Sequence, residues 1–325
     1  MDNQLIMLTS SRHELGPADF DGDFEVGSSD VASNSLSFTG DFPAGCAGLY
    51  VPGTEFGGLF EFVKEASDND QTVSYKAWTW RGLLSQWIIC PPSGQDYYTV
   101  QNQDANTVIR NLLSTILGGF FNVPASSSSI TISSYTFALY TTVLDGLMAM
   151  LDSVDAKLYI HADKTAAGAP IQVTVEAVPA VTLDTVYNTD SQLTLTYTDD
   201  NMGINHLICM GSGKLQNRMR VDLYTNARGA VSQTKTFTGF RERQAYFDYS
   251  SAQSEEDLIK YGTKRLNELK SYKNMQANDA ELEGDIGDRL YGYFHGTGVT
   301  VPIARKTLKI SGGMYTYVYK LKGEK

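Results

Sequence analysis

Short apolar or alternating segments separated by turn residues predict strands over the first 90 residues. Residues 5–8 are apolar throughout, and apolar and polar side chains alternate or mix in residues 59–63 and 72–78. Gly57-Gly58 and the acidic segment 68–70 interrupt this pattern with residue types that favour turns. This pattern predicts an antiparallel sheet or a small barrel.

Three segments have the spacing of apolar residues that is typical of helices. Residues 102–104 offer caps for a helix through the apolar positions of 108–117, and the next helix is predicted over 143–154. The third begins with the capping-box sequence Ser254 to Asp257 and is predicted over 255–275, with acidic residues at the positive end of its dipole.

The remaining segments of alternating or continuous apolar character predict strands. Before the third helix they are 130–132, 157–161, 171–175, 193–197, 206–210, 220–224, 234–237 and 245–249. After it they are 278–283, 289–294 and 302–310, followed by a hairpin at Gly312-Gly313 that leads to Tyr315, Tyr317 and Tyr319 in strict alternation.

These elements predict an α+β protein that is mainly β. Residues 1–95 form the first β unit, residues 96–185 form an α+β segment of two helices and several strands, and residues 186–325 form a second β unit that contains the long helix 255–275. We therefore expect three domains in a chain of 325 residues.

The charge is divided unevenly along the chain. Residues 1–200 contain 7 Lys and Arg against 24 Asp and Glu, a balance of −17, whereas residues 201–325 contain 19 against 13, a balance of +6. A protein that binds nucleic acid neutralises phosphates with clustered basic residues. Here the first half of the chain is acidic, and the basic excess of the second half is dispersed among acidic residues. We therefore do not expect sequence-specific reading of DNA or RNA.

The residues that usually carry catalysis or bind metals lack the necessary spacing. The four histidines, His13, His161, His206 and His295, form no HExxH or comparable pair, and no nucleophile-elbow motif occurs. Three separated cysteines, Cys46, Cys90 and Cys209, are interpreted as small buried hydrophobic residues. We expect no catalytic residue, no cofactor and no metal.

The chain also lacks targeting signals. No apolar run approaches the roughly 20 residues of a membrane-spanning helix, and the amino terminus has no secretory signal pattern. We expect assembly in a cytoplasm and no stable membrane insertion.

Three stretches resemble one known family when they are taken together. The first is Gly57-Gly58 with residues 59–62 and then 80–89, which includes Arg81-Gly82-Leu83; Trp78 to Trp80 stand where the family usually has small residues. The second is the third helix followed by residues 281–288, which include Gly284, Asp285, Gly287 and Asp288. The third is the terminal hairpin, residues 303–321.

In this order the stretches cover nearly the whole chain and resemble the hub proteins at the tail tip of tailed bacteriophages. These are the siphovirus tail proteins related to the baseplate hubs of contractile phages. The resemblance implies two β-barrel-like tube domains, at residues 1–95 and 186–325, with the insertion 96–185 outside the ring. It also implies a homotrimer that forms a pseudo-sixfold ring, closes the tail tube and lets DNA pass on ejection.

The resemblance further implies a location at the virion tail tip. The implied partners are tail-tube, distal-tail, tape-measure and tip or fibre proteins, with DNA only as transiting cargo. Nine residues are candidate assembly positions, with Arg81-Gly82-Leu83 expected in a strand: Gly57, Gly58, Arg81, Gly82, Leu83, Gly284, Asp285, Gly287 and Asp288.

Two other functions stay open at this point. A cell-wall hydrolase would use carboxylates such as Glu281, Glu283 and Asp285 on peptidoglycan. A glycan-binding tail component would use a strand that carries Trp78 and Trp80 as a platform.

Overall fold

The computed structural model describes residues 4–60, 63–66, 73–187, 194–200, 202–252, 254–270, 272–278, 284–294 and 297–321. Within these residues the protein is mainly β, as the sequence predicts, and it has four α-helices where three were predicted. No helix in the described part is long and apolar enough to cross a membrane.

The strands up to residue 200 are β1 (Ile6–Leu8), β2 (Glu14–Pro17), β3 (Asp21–Gly27), β4 (Ser35–Thr39), β5 (Gly48–Tyr50), β6 (Gly57–Leu59), β7 (Val63–Ala66), β8 (Val73–Trp78), β9 (Thr99–Asp104), β10 (Phe121–Asn122), β11 (Thr131–Thr136), β12 (Ala156–Lys164), β13 (Ile171–Pro179), β14 (Thr182–Tyr187) and β15 (Thr194–Asp200). Those that follow are β16 (His206–Met210), β17 (Arg220–Thr225), β18 (Val231–Ser232), β19 (Gln244–Asp248), β20 (Tyr272–Asn278), β21 (Arg289–Phe294), β22 (Thr297–Ser311) and β23 (Met314–Leu321). The helices are α1 (Trp80–Leu84), α2 (Ala105–Ile116), α3 (Val143–Asp152) and α4 (Glu255–Leu269).

The chain divides into two compact units. The first contains residues 1–195 and 276–321, and the second contains residues 196–275. The chain leaves the first unit within β15 and returns to it within β20. The division into domains 1–95, 96–185 and 186–325 stays a prediction beside these two units.

In the first unit, the carboxyl-terminal hairpin lies beside strands from the amino terminus. Strand β22 pairs with β23 and with β3, and the sheet continues through β4 and β8 to β7. Leu308 lies opposite Phe24, which lies opposite Leu36, and all three side chains are fully buried. The predicted hairpin at Gly312-Gly313 is confirmed, because both glycines adopt the positive φ that this tight turn requires.

The same unit contains a second core between helices and a small sheet. Strands β12 and β13 are antiparallel, α2 packs on β13, and α3 packs on β12. Asp104 caps α2 by accepting from the amides of Asn106 and Thr107, and Thr142 caps α3 by accepting from the amide of Asp145. Both predicted helices are confirmed.

In the second unit, α4 packs on a four-stranded sheet of order β18-β17-β16-β19. The Ser254 hydroxyl accepts from the amide of Asp257, so the predicted cap is present. The helix ends at Leu269 rather than at residue 275, because Lys270 has an extended backbone (ψ 162°) and β20 begins at Tyr272.

Several predicted strands need correction. Residues 234–237 form no strand, although their composition is strand-like. Most of these side chains are exposed, and no described strand pairs with the segment and stabilises it. Strand β20 ends at Asn278, where a strand was expected to begin, and the rest of the predicted strand 278–283 lies outside the described residues. No sheet of the described residues closes into a barrel.

Candidate functional site

Gly57 and Gly58 lie where the backbone of β6 passes very close to other groups. A Cβ atom at position 57 would come within 2.4 Å of the Trp80 indole nitrogen, and one at position 58 within 2.3 Å of the Trp78 carbonyl oxygen. Both glycines and Trp80 are buried. The glycine pair therefore lets β6 pack directly against the segment that follows β8.

Residues 81–83 lie in a helix, and the expectation that Arg81-Gly82-Leu83 forms a strand is wrong. Thr79 follows the last residue of β8 and is the N-cap of the short helix α1. Its hydroxyl accepts a hydrogen bond from the amide of Gly82. Gly82 packs against the Asn34 backbone, where a Cβ atom would lie 2.1 Å from the carbonyl oxygen. Leu83 is half-buried at the edge of the core.

Arg81 is a buried cation that contacts two different segments of the first unit. Its side chain is 1% exposed; Nε donates to Glu55 at 2.7 Å, and Nη2 donates to the Leu158 carbonyl oxygen at 3.0 Å. Since Leu158 belongs to β12, this arginine joins α1 to the sheet of the predicted insertion.

The loop of residues 284–288 is tied to the same strand by Lys157. Lys157 Nζ donates to Asp288 at 2.6 Å and to Asp285 at 3.1 Å. Asp288 is 3% exposed and also accepts from the amides of Val181 and Asp285, at 3.0 and 2.9 Å. Gly287 has φ +97°, and a Cβ atom there would lie 2.8 Å from the Lys157 Cβ, so the loop needs glycine at this position.

Lys306 completes the group, which we call the buried charge cluster: Glu55, Arg81, Lys157, Asp285, Asp288 and Lys306. Lys306 Nζ lies 3.6 Å from an Asp285 oxygen and donates to the Gly284 carbonyl oxygen at 3.1 Å. Burial alone would raise the pKa of Asp285, but Lys306 and Lys157 outweigh burial and hold that pKa below its ordinary value.

The structure therefore brings the predicted positions together, although they come from distant parts of the chain. Gly57, Gly58, Arg81, Gly82, Gly284 and Asp288 are buried, whereas Leu83, Asp285 and Gly287 are half-buried. The cluster joins segments from all three predicted domains within the first compact unit. The sequence analysis did not single out Glu55, Lys157 or Lys306; the one signal was Lys157, a cation directly before the apolar residues 158–160 of its strand.

Of the carboxylates proposed for hydrolysis, Asp285 is the one that lies within the described residues. It is ion-paired with Lys157, which also pairs with Asp288. Glu281 and Glu283 lie outside the described residues.

The predicted tryptophan platform is also changed by the structure. Trp78 ends β8, whereas Trp80 lies in α1 and is fully buried. The two rings therefore do not share one exposed strand face.

The second unit contains a separate polar group around His206. Its Nδ1 lies 2.6 Å from Glu242 and its Nε2 lies 2.7 Å from Asp222, while its ring stacks on Tyr224 with centroids 4.3 Å apart. Hydrogen bonds from Lys235, Gln244 and His206 lower the pKa of Glu242 to about 2. No set of three or more His, Cys, Asp or Glu in the described residues has the arrangement of a metal site.

The cysteines do not share the environment expected for them. Cys209 is buried in the second unit, but Cys46 is half-buried and Cys90 is exposed. Cys90 lies at the start of the Pro91-Pro92 loop, which leaves it no apolar partner strand to cover it.

Comparison with known proteins gives similarity in structure rather than in sequence. No family model matches the chain, and no curated protein matches it. A 43 kDa tail protein of prophage MuSo2 from Shewanella oneidensis has a TM-score of 0.53 and 9% identity, with 98% of each chain covered.

Two other solved structures cover the chain to a similar extent. A prophage tail protein from Listeria monocytogenes has a TM-score of 0.51 and 12% identity, with 99% of this chain and 95% of that chain covered. A tail protein from Neisseria meningitidis has a TM-score of 0.50 and 12% identity, with 99% and 97% covered. The chain therefore has the fold of these three tail proteins, which confirms at the level of the fold the resemblance carried by its sequence motifs.

Proposed function

We propose that this chain is a structural hub subunit at the tail tip of a phage, prophage or phage-like particle. The observation that carries the proposal is similarity over nearly the whole chain to three tail proteins, with 95–98% of those proteins covered as well. Similarity of this extent concerns the complete arrangement of elements and not one common module.

In this proposal three copies form a ring with pseudo-sixfold symmetry. Each copy supplies two barrel-like tube domains, from residues 1–95 and 186–325, and keeps residues 96–185 outside the ring. The buried charge cluster supports this role, because it ties segments of all three ranges to one another within the first compact unit. The nine predicted assembly positions then act mainly by shaping the subunit.

The charge distribution is compatible with a tube that conducts DNA. Cationic walls would bind phosphates and slow DNA passage, whereas residues 1–200 have a charge balance of −17. The opposite balance of the remaining chain, +6, favours side-by-side docking of unlike domains during encounter.

The hub has no catalytic step in this proposal. It closes the distal end of the tube, anchors tail-tube, distal-tail, tape-measure and tip or fibre proteins, and opens for ejection. Its place is the virion tail tip after assembly in the cytoplasm of the bacterial host. The pairing of Asp285 and Asp288 with Lys157 supports a structural role for the only carboxylates of the 281–288 segment that the structure describes.

The test is light scattering behind size exclusion over a concentration series, with negative-stain images of the same fractions. Three copies of the 35.7 kDa chain give a species of about 107 kDa, which should appear as a ring with a central hole. A compact monomer at every concentration would contradict self-assembly. Turnover of purified peptidoglycan would instead favour the hydrolase, and glycan-dependent quenching of tryptophan fluorescence would favour the glycan binder.

A further inference from the structure

The ring of His206 lies between two carboxylates in the second unit. His206 is 4% exposed, with its Nδ1 2.6 Å from Glu242 and its Nε2 2.7 Å from Asp222. A neutral imidazole has one donor nitrogen and one acceptor nitrogen, and an ionised carboxylate can only accept. Both contacts are therefore hydrogen bonds only when each ring nitrogen carries a proton.

The two carboxylates stay ionised near neutral pH. The pKa of Glu242 is about 2, first of all because Lys235 donates to it. Hydrogen bonds from Arg220 and His206 outweigh burial and hold the pKa of Asp222 below its ordinary value. Histidine, by contrast, is the side chain that ordinarily changes its charge between about pH 5 and 8.

The other neighbours of the ring do not replace its proton. Tyr224 of β17 stacks on it, and the Arg243 carbonyl oxygen accepts from the His206 amide at 3.1 Å, while the Arg243 side chain donates to a backbone carbonyl oxygen at 2.8 Å. Helix α4 covers the opposite face of the sheet, where burial, and to a smaller extent Asp222, raises the pKa of the Cys209 thiol to about 11.

The two bonds fasten the segment before β19 to the rest of the sheet. Asp222 belongs to β17 and His206 to β16, whereas Glu242 lies two residues before β19. Strand β19 has five residues and, within the described part of the chain, pairs with β16 alone. A short edge strand of this kind opens locally at low cost, so its fastening has a large influence.

Loss of the ring proton replaces one of these bonds by repulsion. The deprotonated nitrogen would present a lone pair to a carboxylate oxygen at 2.6 or 2.7 Å, at a position screened from water. Each carboxylate has another partner: Glu242 lies 2.7 Å from Lys235, and Asp222 lies 2.8 Å from Arg220. Since both cations are exposed, either carboxylate can turn away from the ring without losing its counter-ion.

We propose that His206 is a pH-sensitive switch that controls the opening of residues 239–248. With its proton, the ring holds Asp222 and Glu242 at once and fastens this segment to the sheet; as the pH rises and the proton is lost, the segment opens more readily. The segment carries Phe240, which is 92% exposed, so the same proton fixes where this aromatic side chain is presented. The inference does not depend on the proposed hub or on its ring.

The experiment is amide hydrogen exchange of the full chain, followed by mass spectrometry at about pH 6 and about pH 9, on either side of the range in which histidine titrates. The rates are corrected for the intrinsic effect of pH. We expect the protection of residues 239–248 to fall by about tenfold or more at the higher pH, because the lost bond joins two charged groups. Protection of α4 should not change, which makes the opening local.

Matched variants assign the effect to the His206 proton. His206→Gln cannot gain the proton, so residues 239–248 should be weakly protected at both pH values. Glu242→Gln offers an amide donor to the neutral ring and should keep the segment protected at the higher pH. Lys235→Met controls for the ion pair that Glu242→Gln also removes, and His161→Gln changes a histidine of β12 in the first unit; both should keep the wild-type pH dependence.

Three outcomes would overturn the inference. They are equal protection of residues 239–248 at both pH values in the wild type, an unchanged loss of protection in His206→Gln, and a parallel loss in α4. If His206→Gln does not fold, Glu242→Gln decides, because protection below that of the wild type at the higher pH contradicts the switch. A monomer in the light-scattering experiment contradicts only the proposed ring.

Discussion

Replacing Lys157 by Met should strongly destabilise the first unit. Lys157 is 8% exposed and pairs at 2.6 Å with Asp288, which is 3% exposed, so the variant leaves a buried carboxylate without its cation. Removal of one partner from a buried ion pair costs about 3–5 kcal/mol. Asp288 keeps its bonds from the amides of Val181 and Asp285, which places the expected loss near the lower end, at about 3 kcal/mol.

The assay is urea unfolding followed by tryptophan fluorescence. Trp78, Trp80 and Trp87 are the only tryptophans, and all three belong to the first unit, so the signal reports on that unit alone. The same loss should lower the Tm by about 6–12 °C, at roughly 2–4 °C per kcal/mol for a unit of this size.

The matched control is Lys164→Met on the same strand. Lys164 pairs with Glu14 at a position where the lysine side chain is 38% exposed, and such a pair contributes at most about 1 kcal/mol. The double variant Lys157→Met with Asp288→Asn removes the unpaired charge but keeps only one of the two oxygens that accept from the amides of Val181 and Asp285, so it should recover part of the loss. Equal urea midpoints for Lys157→Met and Lys164→Met would show that the buried pair contributes no more than the exposed one.

Three other predictions concern close packing, acid and strain. Gly82→Ala should lower the free energy of unfolding by about 1–3 kcal/mol, because the new Cβ meets the Asn34 carbonyl oxygen. Gly118→Ala, whose nearest neighbouring atom would be 3.5 Å away, should leave the urea midpoint nearly unchanged. The folded pKa of Asp285 is lowered, so its ionised form stabilises the protein above the unfolded pKa of about 3.9, and this contribution disappears as the pH falls through the folded pKa. The urea midpoints of the wild type and Asp285→Asn should therefore differ at pH 7 and converge below about pH 4; a constant difference would contradict this. Tyr140→Gly should stabilise the chain by about 0.5 kcal/mol, because relief of left-handed strain exceeds the added chain entropy, and a lower Tm would argue against the strain.

Elements whose signals are local are predictable from the amino-acid sequence alone. Helices α2, α3 and α4 follow from apolar spacing, and the starts of α2 and α4 also follow from the caps Asp104 and Ser254, because a cap and its helix lie within a few residues of each other. The terminal hairpin follows in the same way from Gly312-Gly313 and the alternating tyrosines.

The short helix and the segment without a partner strand depend on contacts that exist only in the folded chain. Helix α1 spans only five residues, too few for apolar spacing to be visible, and Thr79 and the packing of Gly82 on Asn34 define it. Residues 234–237 have a strand-like composition but form no strand, because a strand requires a partner that local sequence cannot supply.

Tertiary structure also decided what the motif residues contact. The motifs marked Arg81, Asp285 and Asp288, but their partners are far away in sequence: Arg81 reaches Leu158 across 77 positions, and Lys157 reaches Asp288 across 131. No periodicity encodes such pairs, because ion pairing depends on where the folded backbone places two side chains. The sequence therefore determined which residues stand out, whereas only the fold showed that they hold three parts of the chain together.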